Sequence, residues 1–128
     1  MYYVADTHSF LWYLTDSPKL SSKARAIFDR CERGEVIIII PAIVLLECID
    51  ILEKKEINLK FETIISKIFE ADNFIFSEIN WSIILQVTKV KALKDLHDRI
   101  IVATAQIFGA FLISKDKNIR EVYKKTIW

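Results

Sequence analysis

Four acids of this 128-residue chain stand beside or inside apolar runs, where a carboxylate is costly. Asp6 follows "YYVA", Glu47 lies within "PAIVLLECIDIL", Asp98 opens "DRIIVATA", and Asp116 follows "FLISK". Each has an ordinary explanation. An Asp after a strand reads as a helix N-cap. Glu47 reads as a helix-surface acid, and Asp98 as a first-turn acid favoured by the helix dipole. Gathered into one cleft, however, the four would repel one another and could not all stay ionised without a cation. Hard oxygen donors select Mg²⁺ or Mn²⁺ over softer metals. Such an ion lowers the pKa of bound water and stabilises charge developing on a phosphate. The chemistry open to this set is metal-assisted activation of water beside a phosphate.

Whether the acids can meet depends on the elements that carry them. Short apolar runs predict strands at Tyr2–Ala5, Val36–Ile40, Phe74–Phe76 and Phe111–Ser114, with a further one at Thr126–Trp128. Between them the periodicity predicts helices. One runs from Ser21 or Ser22 to a stop at Gly34, with Ala24, Ile27, Phe28 and Cys31 on one face. A second starts with Pro41 in its first turn and reaches Lys55, and Phe61–Ala71 and Trp81–Val90 are amphipathic. The last spans Asp98–Phe108 and ends at Gly109, with Asp95 as its N-cap. Alternating strands and helices without hairpin signals specify an α/β domain with a mostly parallel sheet. Such sheets bind ligands outside the carboxyl ends of their strands, which puts Asp6 and Asp116 on one functional edge. On the second helix Glu47 and Asp50 lie about 60° apart, a narrow polar stripe on an apolar wheel.

Composition bounds the rest. The length and the two glycines and two prolines point to a single domain over residues 1–128 with no linker. The uncharged run "VIIIIPAIVLL" is too short to span a bilayer and is followed by Glu47, and "MYYVADTH" lacks the basic start of a signal peptide. Cys31 and Cys48 read as reduced core thiols, so a cytoplasmic, non-membrane protein is expected. With His8 and His97 as its only histidines, the chain offers little for a zinc site; both read as structural or pocket-lining. A net charge of +1 gives no global case for nucleic acid, but basic residues cluster locally. Lys89, Lys91, Lys94 and Arg99 bracket Asp95 and Asp98, and Lys115, Lys117, Arg120, Lys124 and Lys125 follow the fourth strand.

At the four acids the chain resembles the PIN-domain ribonucleases, and especially the VapC-type toxins of toxin–antitoxin pairs. "VADTHSFLW" is similar to the family's opening strand and first Asp, and "PAIVLLECIDIL" to the segment with its Glu. "DLHDRIIVATA" is the most specific match and makes Asp98 the third acid, while "FLISKD" resembles the closing strand and fourth acid. The resemblance covers essentially the whole chain. It implies a three-layer α/β/α fold around a five-stranded, mostly parallel sheet. It also implies a metal-dependent endoribonuclease, the toxin of a type II system, whose cuts leave a 5′-phosphate. Asp6, Glu47, Asp98 and Asp116 would be both catalytic and metal-holding, with one or two Mg²⁺ or Mn²⁺ ions. Thr7, Ser114 and Asp95 would orient ligands or water, and Arg99, Lys115 and Lys117 would contact RNA phosphates. The expected partners are an RNA substrate and a cognate antitoxin.

The helix from Pro41 and the apolar Ile64, Ile65, Ile68 and Phe69 of the next one exceed what a small core covers, so a homodimer is expected. Two rival readings remain. One is a catalytically silent PIN-fold module that binds RNA or protein; retention of four acids argues against it. The other is a phospho-accepting receiver domain, which needs paired acids after its first strand, where this chain has Asp6 and Thr7.

Overall fold

A computed structural model of the chain describes residues 1–55 and 57–128. Among them lie five strands, β1 (Tyr2–Ala5), β2 (Ile37–Pro41), β3 (Phe74–Ser77), β4 (Phe111–Ile113) and β5 (Thr126–Ile127). The helices are α1 (Thr7–Leu14), α2 (Ser22–Glu32), α3 (Ala42–Lys54), α4 (Phe61–Glu70), α5 (Trp81–Val87), α6 (Leu96–Phe108) and α7 (Lys117–Val122). The sheet has the order β3-β2-β1-β4-β5, and every pairing is parallel, as in Tyr3↔Ile38 and Val4↔Leu112. Ile38, Ile39, Ile40, Val4, Leu112 and Ile113 are fully buried, the run-like pattern of strands covered on both faces.

The chain lays β2 and β3 on one side of β1, then returns to lay β4 and β5 on the other. Right-handed crossovers in opposite directions place helices on both faces, giving the α/β/α layering. The reversal leaves a switch point between β1 and β4, where the crevice at the carboxyl ends is open. Helix α6 precedes β4, so its last turn lies at the amino edge of the sheet and its first turn at the carboxyl edge. Gly109 ends it with φ +60°, a left-handed conformation that favours glycine, and the Ala110 amide bonds the Ala105 carbonyl at 2.8 Å.

Several expected boundaries move. Pro41 closes β2 and serves as the N-cap of α3 with extended backbone (φ −65°, ψ 148°), so it is outside the first turn. Helix α6 starts at Leu96 because Asp95 caps it, its Oδ1 accepting from the Asp98 amide at 3.1 Å; Asp98 is inside the first turn. α5 ends at Val87, three residues before the expected Val90. α1 and α7 are absent from the sequence reading; both are short and begin directly at an aspartate. Ile64 and Ile68 are buried in the chain's own core, so they are not part of an open apolar face; on that helix Phe69 is the exposed one, at 74%. Among the described residues no helix is long and apolar enough to cross a membrane.

Candidate active site

The first residue after β1 is Asp6, and its amide continues the ladder by bonding the Ile113 carbonyl of β4 at 3.2 Å. Its carboxylate is fixed by the start of α1. Oδ1 accepts from the Ser9 amide at 3.0 Å and lies 2.7 Å from the Ser9 hydroxyl. The N-cap reading is therefore correct, and it does not compete with a role in the cleft. Asp6 is 8% exposed. Burial pushes its carboxyl above the usual carboxylate range, opposed by hydrogen bonds from Ser114 and Ser9 and by the nearby His8. Asp116 repeats the arrangement beyond β4: its Oδ1 caps α7 by accepting from Ile119 at 3.0 Å, and its amide donates to Ser114 Oγ at 3.1 Å.

Glu47 reaches the same place from α3. Thr7 Oγ1 donates to its Oε1 at 2.5 Å, and His97 Nδ1 stands 3.2 Å from its Oε2. Asp98 comes from the first turn of α6. Burial pushes it up to about 6, aided by the charges of Asp95, Asp116, Glu47 and Asp6. The four acids therefore share one electrostatic neighbourhood. They line a cleft of about 440 Å³ together with Thr7, His8, Trp12, Ile101 and Lys115. Lys115 lies over the Trp12 ring, 5.9 Å from its centroid, and among the described residues no Lys or Arg lies within 4 Å of Asp6, Glu47, Asp98 or Asp116.

Of the other sequence candidates, Thr7 and Ser114 are at the cleft, and Asp95 faces a neighbouring one. Lys117 is the exposed first residue of α7 and does not line the acidic cleft. Arg99 does not line the acidic cleft either. One residue past Asp98 on the helix, it is rotated by about 100° and donates from Nη2 to the Val87 carbonyl at the end of α5 (2.8 Å). Two residues emerge that sequence reasoning did not assign. Ser9 holds Asp6, and the Asp-x-x-Ser spacing of a helix start was its available signal. His97 holds Glu47 across fifty residues of chain, a contact that no local pattern announces.

The donor set suits a divalent cation: all-oxygen, negatively charged and short of counter-charge. As the side chains stand, no three His, Cys, Asp or Glu groups among the described residues converge closely enough to hold an ion unaided. An acid-lined cleft at the switch point lies where parallel α/β sheets bind their ligands. The PIN domain family model matches residues 3–125, and the chain belongs to that family. A toxin–antitoxin complex from Klebsiella pneumoniae contains a chain of similar structure, with a TM-score of 0.69 at 16% identity over 98% of this chain and 95% of that one. VapBC2 from Rickettsia felis, bound to a promoter DNA fragment, gives 0.69 at 15% identity over 99% and 96%. FitAB bound to IR36 DNA gives 0.63 at 13% identity over 98% and 93%. No curated protein matches this chain in sequence.

Proposed function

We propose that the protein is a Mg²⁺- or Mn²⁺-dependent endoribonuclease and the toxin of a type II toxin–antitoxin pair, acting in the cytoplasm. The observation that carries this reading is the meeting of four carboxylates in one cleft where, among the described residues, no lysine or arginine lies within 4 Å of them. A pure phosphate binder gains nothing from that charge. The bound cation would supply an activated water and a counter-charge for the scissile phosphate. Asp6, Glu47, Asp98 and Asp116 would hold it. Ser9 and Ser114 fix Asp6, Thr7 and His97 fix Glu47, and Lys115 at the rim would meet a neighbouring phosphate. The structural neighbour named as a toxin–antitoxin complex supports an antitoxin as partner. Exposed Leu46, Phe69 and Trp81 offer apolar surface for that partner or for a second copy of the chain.

A silent PIN-fold binding module is favoured by one observation, the engagement of both Glu47 oxygens by Thr7 and His97. One experiment separates the two. Purified protein should cut RNA with Mg²⁺ or Mn²⁺, stop with EDTA and work poorly with Ca²⁺. Binding of RNA without cutting under all these conditions would favour the silent module.

A further inference from the structure

Beside Asp98 a second cleft of about 340 Å³ opens between α7 and the segment 92–98, which leads into the first turn of α6. Asp98 lines both clefts, so the second adjoins the first at that carboxylate. The lining of the second differs. Asp95, Asp98 and Glu121 oppose the single cation Lys94, and this balance repels a phosphate. The part of a nucleotide that can enter is therefore its uncharged ring. Leu93 and Val122 provide apolar walls, and the volume takes a planar base. The polar groups are sorted by type: Glu121 only accepts, Lys94 only donates, and the Asn118 amide does both. Guanine and cytosine carry an exocyclic amine and a ring carbonyl together. Adenine lacks the carbonyl, and uracil lacks the amine.

We propose that this cleft is the subsite for the base of a nucleotide flanking the scissile phosphate, and that it selects guanine or cytosine. Glu121 accepts from the amine, Lys94 donates to the carbonyl, and Asn118 fixes the plane between them. The inference rests on the ribonuclease reading and adds a specificity to it. Asn118 and Glu121 are exposed and contact none of the four acids through hydrogen bonds, so changing them leaves the cutting centre in place.

The test is cleavage of a randomised RNA pool with Mn²⁺, followed by sequencing of the new ends. At one flanking position the wild type should favour guanine or cytosine over uracil by roughly tenfold, the discrimination one good hydrogen-bonded pair supplies. Glu121→Gln and Asn118→Ala should flatten that preference by lowering cutting at guanine and cytosine sites toward the rate at uracil sites, with the melting temperature unchanged. Cutting by the wild type with no preference at either flanking position, or with a spectrum unchanged in both variants, overturns the subsite alone. It would leave the cleft to a cationic side chain of a protein partner. No cutting at all by the wild type removes the ribonuclease reading, and the subsite with it.

Discussion

Two of the acid-rich clefts on this molecule are nearly equal in size, and they treat their carboxylates differently. The cleft between α1, α2 and α4, about 480 Å³, pairs two of its four lining acids: Asp16 with Arg25 at 2.8 Å and Glu32 with Lys67 at 2.7 Å. Lys67 and the Tyr13 hydroxyl hold the Glu32 carboxyl below the usual carboxylate range. The cleft at the switch point, about 440 Å³, leaves Asp6, Asp98 and Asp116 with no cationic side chain within 4 Å among the described residues, and Asp6 and Asp98 are pushed upward. Paired acids are part of the fold's own electrostatics. Unpaired ones gathered in one place store repulsion that a bound cation would relieve.

The largest effect should come from removing a carboxylate of the unpaired cleft. Asp6→Asn, Asp98→Asn or Asp116→Asn should each lower RNA cleavage by more than the roughly 10–100-fold typical of losing an outer partner of a metal ligand. Metal-free melting temperature should hold or rise for Asp98→Asn, because one repelling charge is gone. His97→Ala should weaken Mn²⁺ binding and cleavage by about 10–100-fold through the loss of its hold on Glu47. Rescue by His97→Asn, measured by calorimetry of Mn²⁺ binding, would tie the effect to the hydrogen bond; no recovery would count against it.

Smaller effects separate capping and pairing from catalysis. Asp95→Ala should cost about 0.5–2 kcal/mol of stability by uncapping α6, while most cleavage is kept. Glu32→Gln should cost about 0.2–1 kcal/mol, the value of an exposed ion pair, with cleavage unchanged.

The two clefts should also bend stability in opposite directions with pH. Asp98 titrates near 6 when folded against a usual 3.8, so the fold binds its proton more tightly. Its contribution is fully present below about pH 4 and is lost as pH rises through about 6. Glu32 is shifted down, so its contribution is present above its usual 4.5 and is lost as pH falls through its lowered value. Metal-free melts from pH 3 to 8 should show Asp98→Asn gaining on the wild type as pH rises, and Glu32→Gln catching up as pH falls. Parallel curves for all three proteins would break the comparison.

The sheet was readable because its strands are uninterrupted apolar runs, and the parallel order follows from helices between every pair. The carboxyl-edge placement of Asp6 and Asp116 followed from the same pattern. α1 was hidden because "THSFLWYL" is too short to show a clear helical period, although Asp6 and Ser9 marked its start. Pro41 fits both a strand end and a first helical turn, and local sequence does not decide between them. Ile64 was misplaced because burial against the chain's own sheet and burial against a partner leave the same apolar stripe. Arg99 shares its basic neighbourhood with Asp98 in sequence but faces away from it on the helix. The hold of Thr7 and His97 on Glu47 joins three distant segments, and only the fold brings them together.

The most direct test of the central claim is the melting temperature with and without Mn²⁺ for the wild type, Asp116→Asn and Glu32→Gln. A ligand that binds only the folded state raises stability by RT ln(1 + [L]/Kd), about 2.7 kcal/mol at a hundredfold excess over Kd. Mn²⁺ should raise the wild type and Glu32→Gln equally and should raise Asp116→Asn far less. An equal rise in all three proteins, or no rise in the wild type, would show that the unpaired carboxylates of the switch-point cleft do not hold a cation.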